Sequence, residues 1–429
     1  MGCTGSLPRE APREEGAAED ALDGQIFVMV NGTSGGRASL PLLQPELKKF
    51  EFATREGKIL RVRMYNLREQ QTREEGFGEV KETCALVRSG AIKSKVILVA
   101  AGGDGTVKWC ISELSKVDCL HVPIGVIPFG TGNDFSRAMG WGASAPKPLI
   151  GHNKKALKAR MAQMFESAVG PLDTWLVDIK LREGGAFYEV KDGKVQQSHE
   201  GQQELTHEMI NYFSCGADAK IVYEFEQRRT KSQIGNKLVY VERGMNQMVR
   251  RPKRLGALLD KELGFLAEGK TVQFRKHDRI MAFLNIPSYS AGANVWRPGK
   301  RKDLQFEKQF VGDKRLEAVS LASTSSVGMH IASRGVSKRG IFRVAQSPKY
   351  ELKFREGVKA YLQVDGEAIK AENIESVAIR HGYQINVLRS SRAKAQLEVV
   401  PPLVELTDIT QVTEVTKVAE VTEVTVPKQ

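Results

Sequence analysis

The sequence predicts an α/β protein in two parts: an N-terminal α/β domain built on a parallel sheet, then a larger, mainly β domain, with a cleft between them. Two patterns carry the prediction. Three times within the first third of the chain an apolar run ends in a glycine-rich turn, and helix patterns come between the runs. That alternation signals strand–helix units and a parallel sheet. From residue 271 onward the helix patterns give way to short alternating runs bounded by turn residues, as in antiparallel sheets. With 429 residues, 41% of them hydrophobic and 27% charged, the chain has the size for two cores and the composition of a folded protein.

The elements follow in order. "QIFVMVNGTSGG" (25–36) reads as a strand and a polar glycine turn, Ile59–Met64 as a second strand, and 69–89 as an amphipathic helix. Val96–Ala101 is a buried strand that turns into a helix over 106–116, and Ile124–Ile127 repeats the event. A helix over 151–166 closes the first part, and "TWLVDIKL" (174–181) opens the second. Residues 182–206 are polar and read as a hairpin with a loose loop. A strand around Met209–Phe213 precedes the "GADAK" turn and a long basic helix to about residue 250. The alternating runs are Thr271–Phe274, Ile280–Ile286, Leu316–Ala322, Gly340–Val344, Tyr350–Phe354, Ala360–Val364, Glu375–Ile379 and Ile385–Val387. The boundaries expected are a leader at 1–25, the α/β domain at 26–166, the β domain at 167–396, and a Val-Thr-Glu tail at 397–429 that has little to bury.

Charge narrows the partners. The first thirty residues carry −4 and the last thirty −3, so of the formal +13 the body between them holds +20, a field that favours an anionic partner. With 7% aromatic residues and no base-reading motif, nucleic acid is not the partner expected. Five cysteines without a CxxC or a Cys/His cluster point to a reducing compartment rather than to disulfides or structural zinc. No apolar run is long enough to span a membrane. "MGCTGS" matches the myristoylation pattern at Gly2, with Cys3 beside it for a second acyl chain. One myristoyl chain gives only reversible binding, about 10⁴ M⁻¹, so Gly2 and Cys3 together are the expected lipid anchor, holding the protein at the cytosolic face of a membrane with some left in the cytoplasm.

Three loops end strands of the one sheet, and in such sheets ligands gather at the carboxyl edge. Asn31-Gly32-Thr33-Ser34-Gly35-Gly36 offers backbone N–H groups and small hydroxyl residues, suited to a phosphate nest or to an ordinary turn. Gly102-Gly103-Asp104-Gly105-Thr106 matches neither the dinucleotide fingerprint nor the P-loop. Its aspartate either positions Mg²⁺ beside a polyphosphate or caps the following helix. In Gly130-Thr131-Gly132-Asn133-Asp134 the glycines allow close backbone approach, and Asn133 or Asp134 starts a helix. Much later, Asp365 and Glu367 flank Gly366 in a tight turn. That turn is either a simple hairpin or a place for a base that takes a proton from an attacking hydroxyl.

"AAGGDGTVKW" (100–109), "GVIPFGTGNDFSRAMGWG" (125–142), "NYFSCGADA" (211–219), "NIPSYSAGANVW" (285–296) and "VDGE" (364–367) together resemble the successive signatures of the eukaryotic diacylglycerol kinases, in family order over about residues 26–392. The resemblance implies a lipid kinase that moves the γ-phosphoryl of ATP to the free hydroxyl of diacylglycerol, giving phosphatidic acid. It implies an α/β nucleotide domain set against a sandwich-like lipid-binding β domain. It places Asn31, Ser34, Gly35, Gly36, Gly102, Gly103, Gly105, Thr106, Gly130, Thr131, Gly132 and Asn133 around ATP. Asp104 falls in the ATP–Mg²⁺ site, with Asp134 and Glu367 as further metal carboxylates. Asp365 takes the place of the general base, assisted by Glu367.

Two departures stand out. The first loop reads NGTSGG where the family commonly has NPKSGG, and no Cys/His-rich zinc module precedes the catalytic part. Acylation at Gly2 and Cys3, with anionic membrane drawn by Arg228–Lys231, Arg250–Arg254 and Arg297–Lys302, is the replacement expected for recruitment. Two other readings are a kinase of the same fold acting on a sphingoid base or ceramide, and an inactive membrane-bound scaffold.

Overall fold

The computed structural model describes residues 21–227, 253–296, 306–333 and 339–393. Gly2 and Cys3, Arg228–Lys231, Arg297–Lys302, most of the 250–254 cluster and the Val-Thr-Glu tail lie outside the described residues.

The first part runs β1 (Gly24–Val30), β2 (Lys49–Ala53), β3 (Ile59–Asn66), α1 (Gln70–Arg88), β4 (Lys95–Gly102), α2 (Asp104–Lys116), β5 (Ile124–Pro128), α3 (Asp134–Ala138) and α4 (Lys155–Phe165). β1 pairs in parallel with β3 on one side and β4 on the other, and β4 pairs in parallel with β5. β2 closes one edge antiparallel to β3. All seven residues of β1 are buried, which is why its apolar run is continuous rather than alternating. α1 turns Phe77, Val80 and Cys84 inward at helical spacing. Because the chain goes from β1 first to β3 and then, through α1, across to β4, the order of strands reverses at β1. The crevice outside the carboxyl ends of such a sheet is the natural ligand site.

The second part contains β6 (Ala168–Lys191), β7 (Lys194–Ser198), β8 (Glu204–Met209), β9 (Tyr212–Gly216), α5 (Ala217–Glu226) and α6 (Leu255–Leu258). β10 (Phe265–Ala267), β11 (Lys270–Thr271), β12 (Ile280–Leu284), β13 (Leu316–Leu321) and α7 (Thr324–Ala332) follow. It ends with β14 (Ile341–Ser347), β15 (Lys349–Lys353), β16 (Lys359–Val364) and β17 (Glu367–Arg389). β16, β9, β12, β13 and β14 form an antiparallel ladder in that order. Phe283 at its centre meets Phe213, Phe265 and Tyr350 at ring-centroid distances of 5.8, 5.8 and 4.8 Å.

Three local expectations change. The polar stretch after Leu181 is a hairpin as expected, but a longer one: β6 continues to Lys191, turns at Asp192-Gly193 with positive φ, and returns as β7, and the loop shrinks to the few residues before β8. The strand expected over Thr271–Phe274 is reduced to the end of β11, Lys270–Thr271. The runs Glu375–Ile379 and Ile385–Val387 are one strand, β17, paired antiparallel with β6 from Lys370 to Arg389 through three register shifts. Its last residues leave the second core altogether. Val387 pairs in parallel with Ile124 of β5, and Ile385, Val387 and Leu388 pack in the first core beside Val126 and Met164. The chain is thus an α/β protein with two main cores and mixed sheets, and the β6–β17 pair runs through both. The helix after Gly216 is described only as far as Glu226.

Candidate active site

Each of the three glycine loops leaves the carboxyl end of a parallel strand, and hydrogen bonds knit them together. Asn31 N donates to Ala101 O at 3.0 Å, and Asn31 Nδ2 donates to Thr106 Oγ1 at 3.1 Å. Phe129 N donates to Gly102 O at 2.8 Å. The second and third loops touch backbone to backbone. A Cβ on Gly130 would lie 2.7 Å from Gly103 Cα and 2.7 Å from Asn133 Oδ1, so neither loop tolerates a side chain there. Gly35 and Gly36 both hold positive φ in the first loop. Ser34 is half-buried there, while Gly105 and Thr131 are exposed at the rim.

Asp104 stands in the first turn of α2, whose N-cap is Gly103. Of the two roles open to it, capping is the visible one, but it caps a different helix. Its Oδ2 accepts Asp134 N at 3.0 Å and its Oδ1 accepts Phe135 N at 2.9 Å, the free donors at the start of α3. Asp134 then reaches in the opposite direction. Its Oδ1 accepts Ser288 Oγ at 2.5 Å and Gly292 N at 3.0 Å, and its Oδ2 accepts Ala291 N at 3.1 Å and Tyr212 OH at 3.5 Å. Both Ser290 and Ala291 have positive φ, so the segment wraps closely around this one carboxylate.

Asp365 repeats the device from the other side of the crevice. With φ +52°, it receives Ile210 N at 2.9 Å on Oδ2, and Asn211 N at 2.8 Å and Tyr212 N at 3.1 Å on Oδ1. Glu367 differs: it is exposed, and its carboxylate lies 3.9 Å from Lys108 Nζ. The structure therefore brings Asp104, Asp134 and Asp365 to one crevice and leaves Glu367 at its margin.

Electrostatics mark the same place. Burial pushes the Asp104 carboxyl up to about 7, and the neighbouring Asp134 charge adds to the rise. Burial likewise raises Asp365, opposed by the Lys108 ammonium and the three backbone donors. Crowded, desolvated carboxylates of this kind favour a cation nearby.

Sequence reasoning did not single out the residues that hold these groups. Asp218, from the "GADA" segment, is fully enclosed by Ser214 Oγ at 2.5 Å, Gln363 Nε2 at 2.9 Å and the Tyr289 hydroxyl. Asn285 donates to Asp173 O and Ile210 O at 2.7 and 2.6 Å and accepts Trp175 Nε1 at 2.9 Å. The only signal for them was membership of the quoted runs at 211–219 and 285–296.

Residues 25–164 match the diacylglycerol kinase catalytic domain, and residues 208–368 match the diacylglycerol kinase accessory domain. The chain belongs to the diacylglycerol kinase family. Among its relatives, diacylglycerol kinase 4 of Arabidopsis thaliana is 29% identical over 396 residues, covering 80% of this chain and 76% of the relative. Probable diacylglycerol kinase 3 of Caenorhabditis elegans is 28% identical over 368 residues, 80% of this chain and 41% of its own length. Diacylglycerol kinase 1 of Oryza sativa is 28% identical over 348 residues, 71% and 68% of the two chains. The two domain matches leave out β6 and all but the first two residues of β17, since 165–207 lies between them and 369–393 beyond.

ATP and Mg²⁺ are what this family uses, and the crevice fits them. Asn133 Oδ1 is buried without a hydrogen-bond partner and points at the glycine contact. A Cβ on Gly36 or Gly105 would meet nothing within 4 Å, so there is room for a polyphosphate beside them, and the Asp104 carboxylate stands next to Gly105. Among the described residues no three His, Cys, Asp or Glu side chains form a ready-made metal cage.

Proposed function

We infer that the chain is an ATP-dependent diacylglycerol kinase, transferring the γ-phosphoryl to the free hydroxyl of diacylglycerol to give phosphatidic acid. Within that reaction we assign the nucleotide to residues 26–166 and the lipid to residues 167–396. The observation that carries the assignment is that Asp104 and Asp134 meet Asp365, 261 and 231 residues further along the chain, through bonds shared at Asp134 and Tyr212. Asn31, Ser34, Gly35, Gly36, Gly102, Gly103, Gly105, Thr106, Gly130, Thr131, Gly132 and Asn133 line the ATP phosphates. Asp104, with Asp134 and Glu367 behind it, would hold Mg²⁺, which when bound would supply neutralising charge to the phosphates.

Asp365 accepts the proton of the attacking hydroxyl. Three backbone donors fix its orientation, and its raised pKa brings it nearer to the working range of a base. Asp134 positions rather than reacts: it ties the start of α3 to the 288–292 segment. Among the described residues no helix is long and apolar enough to cross a membrane. We propose peripheral attachment at an anionic membrane surface, with acyl chains on Gly2 and Cys3. Gly2→Ala then moves the protein from the pelleted to the soluble fraction, and unchanged pelleting refutes the anchor.

The deciding experiment offers γ-labelled ATP with diacylglycerol, sphingosine or ceramide. Label is expected in phosphatidic acid alone. Asp104→Ala and Asp365→Asn are expected to lose at least about 100-fold in kcat, within the usual range for a base or an electrostatic group, while remaining folded by circular dichroism. Label in a sphingoid product instead, or full turnover in both variants, overturns the reading.

A further inference from the structure

Lys108 is the crevice group that no role above has used. It stands four residues after Asp104 on α2, so the two side chains share one face of the helix. Its side chain is 20% exposed, unusually sheltered for a lysine on a short surface helix. Its ion pair is with Glu367, at 3.9 Å and with a partner that is 69% exposed, a geometry in which solvent screens most of the attraction. That contact is too weak to account for the placement of a cation beside this turn.

The other groups that Lys108 faces come from separate elements. Its charge bears on Asp365 after β16, and on His207 and Glu208 of β8. The Glu208 carboxylate is already taken up by the Tyr383 hydroxyl at 2.5 Å, and Asp365 by its three backbone donors. Lys108 therefore stands on the helix that follows the Gly102 loop, 3.9 Å from Glu367 in the turn that carries the proposed base, and its charge bears on that base. Arg137, a cation on α3, spends its Nε on Gly132 O at 2.9 Å.

Phosphoryl transfer spreads negative charge over the oxygens of the moving group, and catalysis consists mainly of positioning and neutralising that charge. An ammonium placed here is a suitable point charge for this task. We propose that Lys108 contacts the γ-phosphoryl of the bound nucleoside triphosphate and stabilises it during transfer. The proposal rests on the kinase reading above, and nucleotide binding tests it independently of lipid turnover.

The experiment measures, with Mg²⁺ and the full chain, the affinity for a non-hydrolysable ATP analogue and for ADP by calorimetry, and in parallel kcat with diacylglycerol. Wild-type protein is expected to hold the triphosphate more tightly than the diphosphate. Lys108→Met erases that preference while its ADP affinity stays within about twofold, and kcat falls by about 100-fold. Lys108→Arg keeps the preference and at least about a tenth of kcat. Lys116→Met, which removes a cation paired with Glu113 at the far end of the same helix, leaves both unchanged and controls for loss of charge. Should Lys108→Met fail to fold, Lys108→Gln takes its place.

A triphosphate preference that survives in the Met or Gln variant overturns the proposal, as does an equal loss in Lys116→Met. If wild type binds triphosphate with the expected preference but phosphorylates no lipid, the kinase reading fails and the phosphate contact stands.

Discussion

Asp104 is held by two forces that oppose each other. Its hydrogen bonds to α3 favour the carboxylate, whereas burial and the Asp134 charge favour the acid and win, raising its pKa to about 7 from 3.8. A carboxyl whose folded pKa is raised binds its proton more tightly in the folded chain than in the unfolded one. Its stabilising contribution is complete below pH 4 and is lost as pH rises to about 7. Denaturant midpoints of the nucleotide-free protein should therefore fall across that window, with a contribution from Asp104 of at most about 1.4 kcal/mol per pH unit. Asp104→Asn should flatten that part of the slope, and an unchanged slope would refute the assignment. Added Mg²⁺–ATP should stabilise the wild type most at the alkaline end, where the carboxylate is ionised. Gly130 poses a steric test at the same scale. Gly130→Ala places a methyl 2.7 Å from Gly103 Cα, so the two loops must part. Expected are a loss of about 1–3 kcal/mol in stability and at least about a tenfold loss in affinity for the triphosphate, read by chemical denaturation and calorimetry.

The elements differ in how much of their placement is written locally. The two strand–turn–helix units, β4–α2 and β5–α3, were legible because their signals are local: an apolar run, glycines, then a helix start. β17 was not. Its segments looked like two short strands because residues 380–384 are polar, and what keeps them extended is the facing strand β6, about 200 residues earlier in the chain. The end of β17 was less legible still, since the partner that draws Val387 into the first sheet is Ile124. Leu388 measures that long-range contact. Fully buried, it packs on the backbone of Gly125, where a Cβ would lie 2.9 Å from Leu388 Cδ1. Leu388→Ala should cost about 2–5 kcal/mol, a loss visible in thermal melts, whereas Val195→Ala on the exposed face of β7 should cost less than about 0.5 kcal/mol. Equal small effects would mean that the end of β17 does not belong to the first core.

At the scale of the whole molecule, two cores must be kept in register so that the glycine loops and Asp365 face one crevice. The β6–β17 pair provides the frame, and Asp134 provides the latch. The sequence marked Asp134 as the start of a helix and a candidate metal carboxylate. Its four acceptor contacts to Tyr212, Ser288, Ala291 and Gly292 depend on chain segments that no local pattern connects. Removing the carboxylate leaves two backbone donors and a buried hydroxyl unpaired, and hydrogen bonds to a charged acceptor are worth about 1.5–3 kcal/mol each. In Asp134→Ala the amides of Ala291 and Gly292 should exchange with solvent deuterium at least about ten times faster. Amides of the β6–β17 ladder should keep their protection, because that frame does not use Asp134. Turnover should fall by at least about 100-fold even though Asp104 and Asp365 are intact, since both are placed by what the latch holds. Asp134→Asn, which keeps one acceptor oxygen, should fall between wild type and the alanine variant in both measurements. If exchange at 288–292 stays slow in Asp134→Ala, the segment is held by its own packing around Tyr289 and Trp296, and the latch has no role in aligning the two cores.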